Sequence, residues 1–123
     1  MLVYASKTQN VARFIQKVKY TDVLEVKTGM EEIEKPFILV TYTTGFGEVP
    51  QEVQVFLEKN HHLLRGVCAS GNRNWGMNFA KAGTMIAQRY HVPLIHRFEL
   101  AGLRQDIQIF EEGVDQIGLF REE

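Results

Sequence analysis

Residues 6–10, Ser-Lys-Thr-Gln-Asn, combine small polar side chains with the start of a helical pattern. Ser6 and Thr8 carry hydroxyls, and Gln9 and Asn10 carry amides. Because the first backbone N–H groups of a helix have no partner within it, such a segment can hold a phosphate monoester. The same residue types are common helix caps, so the segment alone leaves both interpretations open. The predicted phosphate contacts are Ser6, Lys7, Thr8, Gln9 and Asn10.

Residues 43–47, Thr-Thr-Gly-Phe-Gly, follow an apolar β-branched run and come shortly before Pro50. The two glycines allow the backbone to approach a flat ligand closely. The spacing G-x-G-x-x-P does not fit a dinucleotide-binding fingerprint. We expect the segment either to wrap the polar edge of a ring system or to form a strand-to-helix turn without a ligand. Pro50 is expected to begin the next helix. The predicted contacts are Thr43, Thr44, Gly45, Phe46 and Gly47.

Residues 70–78 contain the one tryptophan of the chain, Trp75, among glycine and asparagine residues. Indole is a good stacking surface for an aromatic ligand, and the alternative is a side chain folded back on the core. A phosphate-binding segment, a backbone that wraps a ring edge and a stacking aromatic together describe a pocket for flavin mononucleotide (FMN). The predicted contacts in this third segment are Ser70, Gly71, Asn72, Trp75 and Gly76.

Short β-rich runs alternate along the chain with segments of helical periodicity. The runs that predict strands are 2–4, 23–26, 37–42, 66–70 and 93–100. The apolar positions that predict helices are Val11, Phe14, Ile15 and Val18; Val53, Phe56 and Leu57; Phe79, Ala82, Ile86 and Tyr90; and Ile107, Phe110, Val114 and Ile117. This order predicts an α/β fold with a parallel sheet covered by helices on both faces.

Residues 27–36 are too few for a crossover helix, so an irregular link is expected there. Ligands of open α/β sheets bind beyond the carboxyl ends of the strands, where the strand order reverses. The three polar segments follow the first, third and fourth predicted strands. They are therefore expected to meet at that edge.

Composition excludes several classes of protein. The 123 residues, 45% hydrophobic and 24% charged, fit one globular domain spanning residues 1–123. A net charge of −1 creates no positive electrostatic potential that would attract a polyanion, so neither a nucleic-acid nor a membrane partner is expected. The single cysteine, Cys68, excludes an internal disulfide and indicates a reducing, cytoplasmic location. Cys68 is expected in the core, and His61 and His62 lack nearby co-ligands, so no metal site is expected.

Three segments resemble those of one family: VTYTTGFGEVP (40–50), LRGVCASGNRNWG (64–76) and HRFELAG (96–102). Over essentially its whole length the chain is similar to the NrdI family, the flavoprotein activators of class Ib ribonucleotide reductase. The resemblance implies a flavodoxin-like, doubly wound five-stranded parallel sheet in the order 2-1-3-4-5. It also implies a short or absent helix between strands 2 and 3, and FMN as the cofactor.

The resemblance implies a function as well. FMN hydroquinone would react with dioxygen and supply superoxide to the radical-bearing small subunit of the reductase. That subunit would use the oxidant to assemble its dimanganese–tyrosyl radical cofactor. A flavodoxin- or ferredoxin-type reductase would donate the electrons. Because the chemistry would take place on the flavin, no side chain is assigned as catalytic, and the protein is interpreted as an accessory factor rather than a stand-alone enzyme.

The alternative function is that of a plain electron-transfer flavodoxin. Two departures from ordinary flavodoxins are visible: Gln9 stands where the phosphate segment usually has glycine, and acidic residues are sparse. Glu48 is the one carboxylate of the second segment, and the third carries Arg73 and no acid. A negative charge about 10 Å from the flavin, at an effective dielectric constant of about 20, would oppose the second electron by roughly 1.7 kcal/mol. Sparse acids therefore favour full reduction and the activator function.

Overall fold

The computed structural model describes residues 1–119. Five parallel strands form one sheet in the order β2-β1-β3-β4-β5. The strands are β1 (Leu2–Tyr4), β2 (Val23–Glu25), β3 (Phe37–Thr41), β4 (Leu64–Gly71) and β5 (Leu94–Glu99). The helices are α1 (Asn10–Lys17), α2 (Gln51–Asn60), α3 (Lys81–Tyr90) and α4 (Arg104–Ile117). The fold class and the strand order predicted from the sequence are confirmed.

The central strand β3 separates two hydrophobic layers. All five of its residues are buried, which is why this run reads as continuously apolar. Ile38 and Val40 pack in the layer that contains the buried residues of α1 and α4, and Phe37 and Leu39 pack in the layer of α2 and α3. Alternation along one strand therefore places helices on both faces of the sheet, as a parallel sheet requires.

The link between β2 and β3 contains no helix, as expected, and is held by side-chain hydrogen bonds. The Glu31 carboxylate accepts from the backbone N–H of Lys27, at 2.8 Å, and from those of the next two residues. Asn60, buried at the end of α2, accepts from the Ile33 N–H and donates to the Glu31 carbonyl. Two side chains thus satisfy backbone groups that a crossover helix would have satisfied internally.

Several element boundaries differ from the sequence prediction. Pro50 does not begin α2 but is its N-cap, because its ψ of 144° is extended while its carbonyl accepts from the N–H groups of Val53 and Gln54. The periodicity predicts Phe79 as part of the third helix, but Phe79 precedes α3. Ala80, the N-cap, has a left-handed φ of 48°, so the helix begins only after it. Periodicity continues through such a turn, so it could not reveal the break.

The start of α4 is tied to β5 by the side chain of Asp106, which is buried. One carboxylate oxygen of Asp106 accepts from the Leu103 N–H at 2.7 Å, and the other lies 2.7 Å from His96 Nε2. Burial alone would raise the pKa of Asp106, but the hydrogen bonds from His96 and Leu103 hold that pKa below its usual range. The ionised carboxylate therefore stabilises both the helix terminus and its contact with the sheet.

Asp106→Asn should lower the free energy of unfolding at pH 7 by about 1–3 kcal/mol, because the charge-assisted hydrogen bonds are weakened. A lowered folded-state pKa gives stabilisation that is complete above the unfolded-state pKa, about 3.9, and is lost as pH falls through the folded value. Urea unfolding should show the difference from wild type between pH 5 and 7 and a shrinking difference below about pH 3.9. Glu58→Gln, on the exposed face of α2, is the control and should change little. An undiminished difference at pH 3 would contradict the assignment.

Candidate functional site

A cleft of about 330 Å³ opens at the carboxyl ends of β1, β3 and β4. The strand order reverses here, because β2 lies on one side of β1 and β3 on the other. The loops after these three strands form most of the cleft, and Leu100, from the loop after β5, completes its lining. The site therefore lies where an open α/β sheet binds its ligands.

Most of the site residues predicted from the sequence meet in this cleft. Those that line it are Ser6, Lys7, Thr8, Asn10, Thr43, Thr44, Gly45, Gly47, Ser70, Gly71, Asn72 and Trp75. Three predicted residues lie outside the lining: Gln9, Phe46 and Gly76. The sequence analysis did not assign five residues that do line it: Val11, Tyr42, Asn78, Ala80 and Leu100.

The first loop combines a helix cap with an anion-binding geometry. Ser6 Oγ accepts from the Ala12 N–H at 3.2 Å, so this hydroxyl caps the first turn of α1. Asn10 and Val11, the first two residues of the helix, line the cleft, and the first turn carries no acidic residue. The positive end of the helix dipole and its free N–H groups thus face the cleft, and the two interpretations of this segment are compatible.

Gln9 is the N-cap of α1 and adopts a left-handed conformation, with φ of 71° and ψ of −3°. Its side chain makes no capping hydrogen bond, while its carbonyl accepts from the Arg13 N–H at 2.9 Å. Only glycine adopts this region without a steric cost. The turn therefore has the geometry of a glycine turn although the residue is glutamine, and Gln9 does not line the cleft.

The second loop closes on itself and presents its tip to solvent. Thr44 and Glu48 exchange two backbone hydrogen bonds, of 3.0 and 2.7 Å, and Phe46 at the tip is 71% exposed. Thr43 Oγ1 is buried and, within residues 1–119, has no hydrogen-bond partner. A buried hydroxyl without a partner is destabilising by about 1–3 kcal/mol. A polar group of a ligand in the cleft would satisfy it.

The third loop holds its aromatic residue in the cleft rather than in the core. Trp75 is 48% exposed, and its ring meets Phe46 edge-to-face with the centroids 5.4 Å apart. Gly71 must be glycine, because a Cβ there would lie 2.5 Å from the Ala80 backbone nitrogen. The fold also brings an acid beside this loop, since the Glu99 carboxylate accepts from the Arg73 N–H at 3.0 Å. The segment has no acid of its own, so its sequence could not show this neighbour.

Three of the unassigned residues had a signal in the sequence. Leu100 belongs to the segment 96–102 that resembles the family, and Tyr42 directly precedes the second loop. The Tyr42 hydroxyl donates to Glu52 at 2.7 Å; burial, together with this carboxylate, raises the pKa of the phenol. Asn78 is the last residue of the third segment, 70–78. Val11 and Ala80 carried no such signal, because their place at the cleft depends on how the loops pack.

Two further kinds of site, a metal site and a reactive cysteine, are not found within residues 1–119. Within residues 1–119, no three His, Cys, Asp or Glu side chains are placed to hold a metal ion. Cys68 is buried in β4, and burial raises the pKa of its thiol, so it is a core residue. Across the same residues, no helix is both long enough and apolar enough to cross a membrane.

The strand order and the position of the cleft define a flavodoxin-like protein. A flavodoxin from Streptococcus pneumonia TIGR4 superposes with a TM-score of 0.67 and 25% identity, covering 95% of each chain. A Fusobacterium nucleatum flavodoxin bound to flavin mononucleotide superposes with a TM-score of 0.63 and 19% identity, again over 95% of each chain. These two structures share the fold of this chain.

The sequence places the chain more narrowly. The model of the NrdI flavodoxin-like family matches residues 2–112. Protein NrdI from Bacillus licheniformis is 49% identical over 116 residues, which cover 94% of this chain and 88% of that relative. This chain belongs to the NrdI flavodoxin-like family.

Gln9→Gly should raise the free energy of unfolding by up to about 1 kcal/mol. Glycine removes left-handed strain of about 1–2 kcal/mol, and its greater freedom in the unfolded chain offsets about 0.5–1 kcal/mol of that gain. Gln16→Gly is the matched control, because Gln16 is exposed in the same helix, and it should lower stability by about 1 kcal/mol. Urea unfolding of both variants checks the sign. Equal destabilisation by the two substitutions would show that the conformation of Gln9 is not strained.

Proposed function

We propose that this protein binds FMN in the cleft and uses it to activate the small subunit of a class Ib ribonucleotide reductase. The observation that carries the proposal is that one cleft contains both a buried Thr43 hydroxyl without a described hydrogen-bond partner and the half-exposed indole of Trp75. The chain with this cleft is a member of the NrdI family. A ligand with a polar edge and an aromatic face would form a hydrogen bond with the Thr43 hydroxyl and stack on the Trp75 ring.

The residues of the cleft fit FMN in three parts. The N–H groups at the start of α1, with the Thr8 hydroxyl, would hold the phosphate. The Trp75 ring would stack on the flavin, and the Thr43 hydroxyl with the backbone of residues 44–47 would bind its polar edge. The F. nucleatum flavodoxin, which shares this fold, is bound to flavin mononucleotide.

Bound FMN would supply the redox chemistry: two-electron reduction by a flavodoxin- or ferredoxin-type reductase, followed by transfer of one electron to each dioxygen molecule to yield superoxide. The role of the protein is to bind the cofactor, to set the charge around it and to direct the product. Superoxide would serve the small subunit in assembling its dimanganese–tyrosyl radical cofactor. Action in a reducing cytoplasm accords with the single, buried cysteine.

The charge around the cleft supports full reduction of the cofactor. Glu48 lies beside Gly45, and Glu99 lies beside the third loop. Lys7 lines the cleft, Lys81 packs beside Gly47, and Arg73 belongs to the third loop. Acidic and basic groups are therefore mixed at this edge, and no excess of negative charge opposes the second electron. A strongly acidic rim would have favoured the plain electron carrier instead.

The loops beside the cleft suit a protein interface. Phe46 is 71% exposed, Trp75 48% and Met77 97%. Aromatic residues and methionine are enriched, and acidic residues depleted, at the centres of protein interfaces. We propose that this surface docks on the small subunit, so that a short-lived oxidant passes directly to its target. The alternative, a plain electron-transfer flavodoxin, draws on the likeness in fold to electron-carrier flavodoxins.

Purified protein should be yellow and should bind one FMN per chain. Trp75→Ala should weaken FMN binding by about 1 kcal/mol or more, about fivefold in Kd, because a stacking surface is lost. Met77→Ala is the control, since Met77 is in the same loop, is 97% exposed and does not line the cleft. Fluorescence titration of FMN measures both. Equal affinities of the two variants would place the flavin away from Trp75, and a protein that takes up no FMN would refute the proposal.

The activation itself can be followed by electron paramagnetic resonance. Fully reduced protein, mixed with manganese-loaded class Ib small subunit and exposed to dioxygen, should produce the tyrosyl radical, because the oxidant reaches the manganese site. Manganese-loaded subunit with dioxygen alone should not. Phe46→Ala should retain FMN but lower the radical yield, whereas Met30→Ala, on the link before β3, should change neither. If the radical forms equally well without this protein, the activator function is wrong and the electron-carrier function replaces it.

A further inference from the structure

Leu100 has an unusual backbone conformation at the edge of the cleft. Its φ is +56°, in the left-handed region, which is costly for any residue with a Cβ. Leucine is neither glycine nor one of the short polar residues that visit this region readily. Strained residues of this kind occur preferentially at ligand sites, where the surrounding structure holds them in place.

The surrounding structure does hold Leu100 in place. Its N–H donates to the Gly71 carbonyl at 3.0 Å, and its own carbonyl accepts from Ser70 Oγ at 2.6 Å. Gly71 and Ser70 both line the cleft. The loop after β5 is thus fastened, through both backbone groups of one residue, to the end of β4, which leads into the loop that carries Trp75.

The side chain of Leu100 does not compensate for this strain through the core. It is 49% exposed and belongs to none of the clusters of buried hydrophobic residues. Glycine would fit the backbone better and would leave no apolar surface in water. Leu100 does line the cleft, so a half-exposed apolar residue borders the place where a ligand would bind.

We propose that Leu100 is a positioning residue of the flavin site, whose side chain packs on the bound ring system and excludes water from that part of the cleft. This inference rests on the proposed binding of FMN. The strained backbone is the cost of directing an apolar side chain from the loop after β5 into the cleft. The hydrogen bonds to Ser70 and Gly71 keep that direction fixed.

Four variants test the inference. Leu100→Ala and Leu100→Gly remove the side chain, and Leu100→Met keeps its volume. Leu103→Ala is the matched control, because Leu103 lies in the same loop, is 67% exposed and does not line the cleft. Fluorescence titration should show FMN bound about tenfold more weakly by the first two variants, the scale expected when a half-exposed leucine is no longer covered. Leu100→Met and Leu103→Ala should bind within about twofold of wild type.

Two further measurements separate positioning from a structural role. The thermal midpoint of FMN-free Leu100→Gly should not fall below that of wild type, because glycine relieves the left-handed strain. The visible bands of bound FMN should be less resolved in Leu100→Ala than in wild type, because water reaches the ring.

Three results are decisive. If wild type binds FMN and the Ala and Gly variants bind equally well, the role of Leu100 is refuted and FMN binding stands. If weaker binding comes with a matching loss of FMN-free thermal stability, and Leu100→Met does not restore it, Leu100 is structural and the inference is again wrong. If wild type binds no FMN, the proposed function and this inference fail together.

Discussion

The parallel pairing of β1 with β3 and of β3 with β4 is the constraint on which the site depends. In a parallel sheet every strand ends at the same edge, so three loops far apart in sequence emerge side by side. Backbone hydrogen bonds continue this pairing into the loops, as from the Ala5 N–H to the Val40 carbonyl at 3.0 Å. The continuous apolar character of β3, buried on both faces, keeps this strand in the interior of the sheet between the two helical layers.

Backbone strain is concentrated around this edge. Four described residues other than glycine have a positive φ, and three of them border the site: Gln9 before α1, Ala80 before α3 and Leu100 after β5. The fourth, His91, ends α3. Together with the unsatisfied Thr43 hydroxyl, these residues make the cleft the least relaxed part of the molecule. Such strain persists because the surrounding structure holds these residues in place, as the hydrogen bonds of Leu100 to Ser70 and Gly71 do.

The distribution of charge relates this geometry to the proposed chemistry. Acidic residues do approach the cleft, as Glu99 shows, but Lys7 lines it, Lys81 packs beside Gly47 and Arg73 lies on the third loop. Because acidic and basic groups are mixed around the cleft, adding a second electron to the cofactor would have a small electrostatic cost. The exposed Phe46 and Trp75 provide an apolar surface for a partner. Both properties depend on loop residues, whereas the sheet beneath has the architecture of ordinary flavodoxins.

The sequence by itself determined the features that depend on local pattern. Hydrophobic periodicity predicted the order of strands and helices. The loops of the cleft were indicated by hydroxyl, glycine and tryptophan residues after strands one, three and four. Both follow from the sequence because residue type and spacing are properties of neighbouring positions. Recognition of the family supplied the strand order. Only the tertiary structure decided that Val11 and Ala80 join the lining, that Glu99 reaches the third loop and that Gln9 adopts a glycine-like turn. Those features arise from packing between segments distant in the chain, and a pattern of neighbouring residues does not encode which distant backbone groups will meet.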